Sequence, residues 1–270
     1  MGQRGIAFIV VVAVVAAGSV AQAQRHRHHG QDLSAAPSPL ETQLASSDPA
    51  QIRQAIEGIG VAGTADGVAP LAARIEKGLP PDLLDAALEA LTVLSRPEAG
   101  PVLLSLVSHR RASVRAKAVS ALVACHARGA DGALTAALSD ADGTVRSAAA
   151  LGLGQLGARS AVDDLFLAFE KGVVEAATSI GQLATDAEVP RLLTYLGHVP
   201  FDTVTPALDE LFARRDIQEH TKLDLVAHLA ELATPQVRTY LETLAASLPA
   251  SDPGALRRTA IDAASRISAP

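Results

Sequence analysis

Four groups of residues have types and spacings that could do chemistry. Between Asp140 and Ala161 the chain reads D-A-D-G-T-V-R-S-A-A-A-L-G-L-G-Q-L-G-A-R-S-A, which sets Asp140 and Asp142 beside Arg146 and a run of glycines. Paired carboxylates beside a cation are the raw material of general acid–base chemistry. Arg25-His26-Arg27-His28-His29 gathers three imidazoles near the N-terminus. His109-Arg110-Arg111 is a short cationic run, and Thr-Tyr-Leu occurs at 194–196 and again at 239–241 with the only two tyrosines of the chain.

The histidines follow a segment with the pattern of a secretory signal. Arg4 gives a positive start, Ile6–Ala17 is unbroken apolar sequence, and Ala21-Gln22-Ala23 is an A-x-A cleavage signal with a mature start at Gln24. An uncleaved anchor is the alternative, although the apolar run is short of the roughly 20 residues a span requires. Residues 1–23 therefore read as a signal peptide and residues 24–46, rich in His, Arg, Ser and Pro, as a disordered tether. Cleavage after Ala23 would set His26 third from a free amine, where amine, amides and imidazole could hold Cu(II) or Ni(II) in a square plane, with His28 and His29 as added ligands. Against a metal site, an N-terminal glutamine tends to cyclise, and short His/Arg tracts also serve as solvated spacers.

The elements that position the other groups follow from a period. Ile52, Leu83, Val114 and Val145 stand at a constant interval of 31 residues. Such an interval is the mark of a stacked helical array. Alanines and leucines follow each anchor at i, i+4 and i+8, one face of a helix, and shorter apolar segments between them read as second helices. The aromatic share of 3% and the hydrophobic share of 49% suit thin helices built from Ala, Leu, Val and Ile. Asp48-Pro49 and Asp252-Pro253 place an acidic cap before a proline at helix starts, and Asp140 and Asp142 carry charge that a helix N-terminus favours. The pattern predicts regular repeats over 47–196 and divergent ones with a terminal cap over 197–270, about seven helix–turn–helix pairs in all. In that cap, Arg258, Asp262 and Arg266 form an i, i+4 charge ladder on the outer face of the last helix.

Val-Arg-x-x-Ala followed by Ala-Leu or Leu-Gly, with acidic residues before it, resembles HEAT repeats, in particular the short bacterial kind of the phycobilisome lyases. The resemblance covers residues 48–196. It implies a right-handed all-α solenoid over 47–270 that binds a protein or peptide on its concave face. It also implies that Arg53, Arg115, Arg146 and Arg257 each bond an acidic residue of a neighbouring loop.

Within this array Asp140 and Asp142 read as helix-start groups rather than a catalytic pair. Arg110 and Arg111 oppose the dipole of their helix, by roughly 0.3–1 kcal/mol each when exposed. An ion pair between repeats, to Asp140 or Asp142, accounts for them; an anion or acidic-partner patch is the alternative. Tyr195 and Tyr240 fall on second helices, where they would anchor a partner or else cap the core. Cys125, the lone cysteine, reads as a buried inert thiol.

No G-x-S-x-G, H-E-x-x-H, C-x-x-C or phosphate-loop pattern occurs, nor a His-Glu dipeptide. A net charge of −6 without tryptophan excludes a basic, aromatic-lined nucleic-acid groove. The sequence thus predicts an exported, periplasmic or extracellular scaffold, monomeric, without catalysis, cofactor, nucleic acid or stable membrane span. A Cu/Ni-handling protein of the envelope and an accessory subunit of an envelope enzyme are the rivals.

Overall fold

The computed structural model describes residues 39–248 and 254–267. The signal segment 1–23 with Ala21, Ala23 and Gln24, the histidines 26, 28 and 29, and the cap at Asp252-Pro253 lie outside the described residues. Those residues form fifteen α-helices and no strand: α1 (Pro39–Leu44), α2 (Pro49–Ala62), α3 (Val68–Glu76), α4 (Pro81–Leu94), α5 (Gly100–Leu106), α6 (Ala112–Ala124), α7 (Ala130–Ala137), α8 (Gly143–Gln155), α9 (Val162–Glu170), α10 (Ala176–Leu183), α11 (Val189–Leu193), α12 (Phe201–Ala213), α13 (Glu219–Leu232), α14 (Pro235–Ser247) and α15 (Ala255–Arg266).

The helices begin and end where side-chain chemistry directs. Asp48 accepts the Ala50 N–H at 2.9 Å, with Pro49 opening α2, and Asp142 accepts those of Thr144 and Val145 at 2.9 and 3.3 Å. At the C-terminal ends the chain turns through the left-handed region at Gly63, Ser95, His126 and Gly157. At His126 and Gly157 two backbone bonds close each turn, Ala127 N–H to Leu122 O and Ala158 N–H to Leu153 O being the outer ones.

The even-numbered helices α2 to α12 pack side by side in chain order, the odd-numbered ones from α1 to α9 lie in a second layer against them, and α11, α13 and α15 follow, with α14 packed on α13 and α15. Between the layers run columns of buried side chains at the period of the sequence. Ile52, Leu83, Val114 and Val145 form one, Ala87, Ala118 and Ala149 a second, and Leu91, Leu122 and Leu153 a third. Each buried leucine or valine contributes on the order of 1.5–3 kcal/mol. Every helix leans on near neighbours in the chain, as in a solenoid.

Spacing differs between the layers. In the even layer small residues let backbones approach: a Cβ added at Gly181 of α10 would lie 2.5 Å from the Ala207 carbonyl oxygen of α12. Across the same layer the buried Ser179 hydroxyl donates to Ala150 O at 2.7 Å. The odd helices α1 to α7 pack less closely on one another than the even ones do, and grooves of about 420 Å³, 510 Å³ and 480 Å³ lie between α1 and α3, between α11 and α13, and between α13 and α15.

Three expectations need correcting. Helix α1 lies inside the segment assigned to the tether, and its Leu44 is buried; one i, i+4 pair, Leu40 and Leu44, is too little to show a period. Tyr195 is not on a helix, because α11 stops at Leu193 and tightens into i−3 bonds before Gly197 turns left-handed. On α15, Leu256, Ala260, Ala264 and Ile267 face inward, but Arg258, Asp262 and Arg266 make no ion pair among the described residues.

Candidate interaction surfaces

The Val-Arg arginines act first on their own loops. Arg115 donates to His109 O at 2.9 Å and Arg146 to Asp140 O at 2.8 Å, so each guanidinium ties down a carbonyl six residues back. Arg115 also binds the Asp140 carboxylate of the next repeat, and Arg53 pairs with Asp82 in the first turn of α4. Arg146 bonds only carbonyls, at Asp140 and Ala141, and makes no ion pair among the described residues. Arg257 likewise donates to a carbonyl, that of Ala245, at 3.2 Å. The arginine hydrogen bonds, with the backbone N–H of Asp142, hold the Asp140 carboxyl below its ordinary range. Asp140 and Asp142 are both engaged in holding loop and helix start, which leaves neither as an acid–base pair.

Arg111 does not reach Asp140 or Asp142. It turns back to the preceding repeat, donating to Asp85 at 2.8 Å and to Pro81 O at 3.3 Å. Arg115 already fills Asp140, and Asp142 caps α8. Lys117 lies 3.7 Å from Asp85 and 2.8 Å from Glu89, which joins α4 and α6 by a small ion network. The Arg110 side chain is exposed and has no ion pair among the described residues.

Both tyrosines are half-buried, and each sits in an aromatic cluster. The Tyr195 ring stacks near Phe166 (centroids 6.2 Å apart) and meets Phe169 edge-on at 5.2 Å, while its hydroxyl donates to Glu170 at 2.6 Å. The Tyr240 ring meets Phe201 and Phe212 at 5.5 and 6.4 Å, and its hydroxyl donates to Asp209 at 2.9 Å. Arg191 covers Phe166 at 4.2 Å and pairs with Asp163 and Glu170. Burial pushes both phenols up, and the neighbouring carboxylates add to it. Rings and hydroxyls alike are committed to joining repeats. The repetition of Thr-Tyr-Leu could have signalled that common packing; the carboxylate partners, 25 and 31 residues back, left no local mark.

Two other surfaces stand out. In the groove between α11 and α13, His220, Asp224 and His228 occupy successive turns of α13 opposite Asp186, whose carboxylate is held by the Thr221 hydroxyl and the Gln218 N–H. No three His, Cys, Asp or Glu side chains among the described residues are grouped to hold a metal ion, and no described helix is long and apolar enough to cross a membrane. The second surface is the outward face of the even layer. A groove of about 420 Å³ crosses α4, α6 and α8 there, lined by Leu88, Thr92, Val93, Ala116, Ser120 and Ala148. Val93 is 69% exposed, Val61 of α2 is 89% exposed and Leu151 of α8 is 37% exposed. Sequence reasoning missed this face, because Val93 lies between the buried Leu91 and Leu94 and reads as core.

Residues 100–177 match the family model of HEAT repeats. Among solved structures the chain is similar to the complex of CpcE and CpcF of phycocyanin lyase from Nostoc sp. PCC7120, at 19% identity and a TM-score of 0.46 over 92% of this chain and 100% of that one. It is also similar to a designed armadillo repeat protein in complex with the peptide (KR)4, at 15% identity and a TM-score of 0.40 over 83% and 96% of the two chains. No curated protein sequence matches the chain.

Proposed function

Since residues 100–177 are HEAT repeats, we propose that the chain is a non-catalytic scaffold of the cell envelope that binds a protein on the outward face of its even-numbered helices. The observation that carries this reading is the α4–α6–α8 groove with the exposed Val93 in its lining; Val61 of α2 and Leu151 of α8 are exposed on helices of the same layer. Exposed apolar surface of this kind marks interaction sites. The reading thus moves the binding face from the short helices to those that carry the Val-Arg pattern. Export rests on the pattern of residues 1–23.

A photo-crosslinking residue placed at Val93 in native cells tests the reading, with Leu167 of α9 as the control site on the other layer. A defined protein adduct at Val93 and none at Leu167 is the expected outcome. Adducts at Leu167 alone would overturn it. N-terminal sequencing of the exported form checks for a start at Gln24.

A further inference from the structure

We propose that the groove between α11 and α13 takes an arginine side chain from a protein partner, at a site separate from the α4–α6–α8 face. What this groove offers an occupant is acceptors. The hydroxyl donors of its lining are spent, since Thr194 donates to Arg191 O at 2.7 Å and Thr221 donates to Asp186 at 2.5 Å. His228 Nδ1 lies 2.8 Å from Asp224 O, an atom that can only accept. Nδ1 therefore carries a proton bonded to the backbone, and Nε2 of the neutral ring is left as an acceptor. One turn back on α13, the exposed Asp224 carboxylate makes no ion pair among the described residues. Asp186 adds a second negative charge, and no lysine or arginine lines the groove to balance the two. His220, with one ring nitrogen of each kind when neutral, leaves that balance unchanged.

These features select the occupant. An anionic or apolar group seated there would strip water from Asp224 and return no donor. A cation with several donors repays that loss. Asp224 and His228 are four residues apart, about 6 Å along the helix, which sets two acceptors one turn from each other. A planar guanidinium spreads five N–H donors and reaches both, whereas an ammonium concentrates its charge at one point. Pro190 and Leu193 of α11 form the facing apolar wall, where the methylenes of an arginine stem can lie. The chain's net charge of −6 favours encounter with such a cationic segment.

The test selects random linear peptides displayed on phage against the full chain. The Asp224→Asn, His228→Gln double variant is kept in solution to remove peptides that bind elsewhere. Both positions are exposed, and melting curves establish that the variants are folded. Recovered peptides should share an arginine and bind wild type about tenfold or more tightly than either single variant, the scale of one charge-assisted hydrogen bond. Replacing that arginine by citrulline, which keeps the shape and loses the charge, should weaken binding to a similar degree, and so should lysine. This second measurement uses wild type alone and does not depend on the fold of any variant. Recovered peptides that lack an arginine, or that bind equally with citrulline or lysine, would overturn the proposal. A selection that recovers none would do the same. A dimer of the chain alone in sedimentation, separated by Asp224→Asn, would give the groove to a second copy and also overturn it. Each of these results leaves the α4–α6–α8 face standing, since none of its lining residues is altered.

Discussion

Arg115 and Asp140 meet edge to edge, Nε to Oδ2 and Nη2 to Oδ1, both at 2.7 Å. The pair spans consecutive repeats, joining α6 to the loop before α8, and both side chains are mostly shielded from solvent. Because the same carboxylate accepts the Asp142 N–H at 2.8 Å, the contact between repeats and the start of α8 share one group. Asp140→Asn should lower stability by about 1.5–3 kcal/mol in a denaturant titration, the range for hydrogen bonds to charged groups.

The same pair sets a pH dependence. The carboxyl of Asp140 is held below the ordinary aspartate range, so the folded chain favours its ionised form. Its contribution is complete above that range and falls away as pH drops through the lower folded value. Asp216, brought down to about 2 by Arg214, acts in the same sense. Between pH 4 and pH 2 the wild type should lose more stability than the Asp140→Asn, Asp216→Asn double variant, as measured by thermal melts.

Left-handed turns at Ser95 and His126 stand where the other repeats have Gly63 and Gly157. A side chain in that conformation is disfavoured by about 1–2 kcal/mol. His126→Gly should therefore raise stability by roughly 0.5–1 kcal/mol, since glycine's greater freedom when unfolded offsets part of the relief. Gly157→His should lower it. Paired melting curves decide.

Close packing in the even layer leaves no room at Gly181. The backbone of α12 must move to admit a methyl group, and Gly181→Ala should destabilise by about 1–3 kcal/mol. Gly58, with open space around it, is the control, and Gly58→Ala should stabilise α2 by about 0.5–1 kcal/mol.

What the sequence made legible was whatever the packing period forces on it. Ile52, Leu83, Val114 and Val145 had to recur at one interval, because each fills the same seat between two layers. The cap at Asp142 was equally plain, being a local bond. The partner of Arg111 was not, since Asp85 and Asp140 are both acids within a repeat of it, and only the prior hold of Arg115 on Asp140 decides between them. The exposed face stayed hidden for a different reason. On a helix with buried neighbours, Val93 carries the same letter whether it looks inward or outward.

Apart from Phe8, every aromatic residue of the chain lies between Phe166 and Tyr240, and tryptophan is absent. Near-ultraviolet circular dichroism therefore watches the C-terminal half of the array, whereas the far-ultraviolet signal counts helix everywhere. In an array whose units hold only their neighbours, the halves need not melt together. Heated once and followed at both wavelengths, the wild type should give two midpoints that differ. Loosening a repeat near Gly60 should displace the far-ultraviolet curve and leave the near-ultraviolet one in place. The molecule carries a built-in reporter on one of its ends.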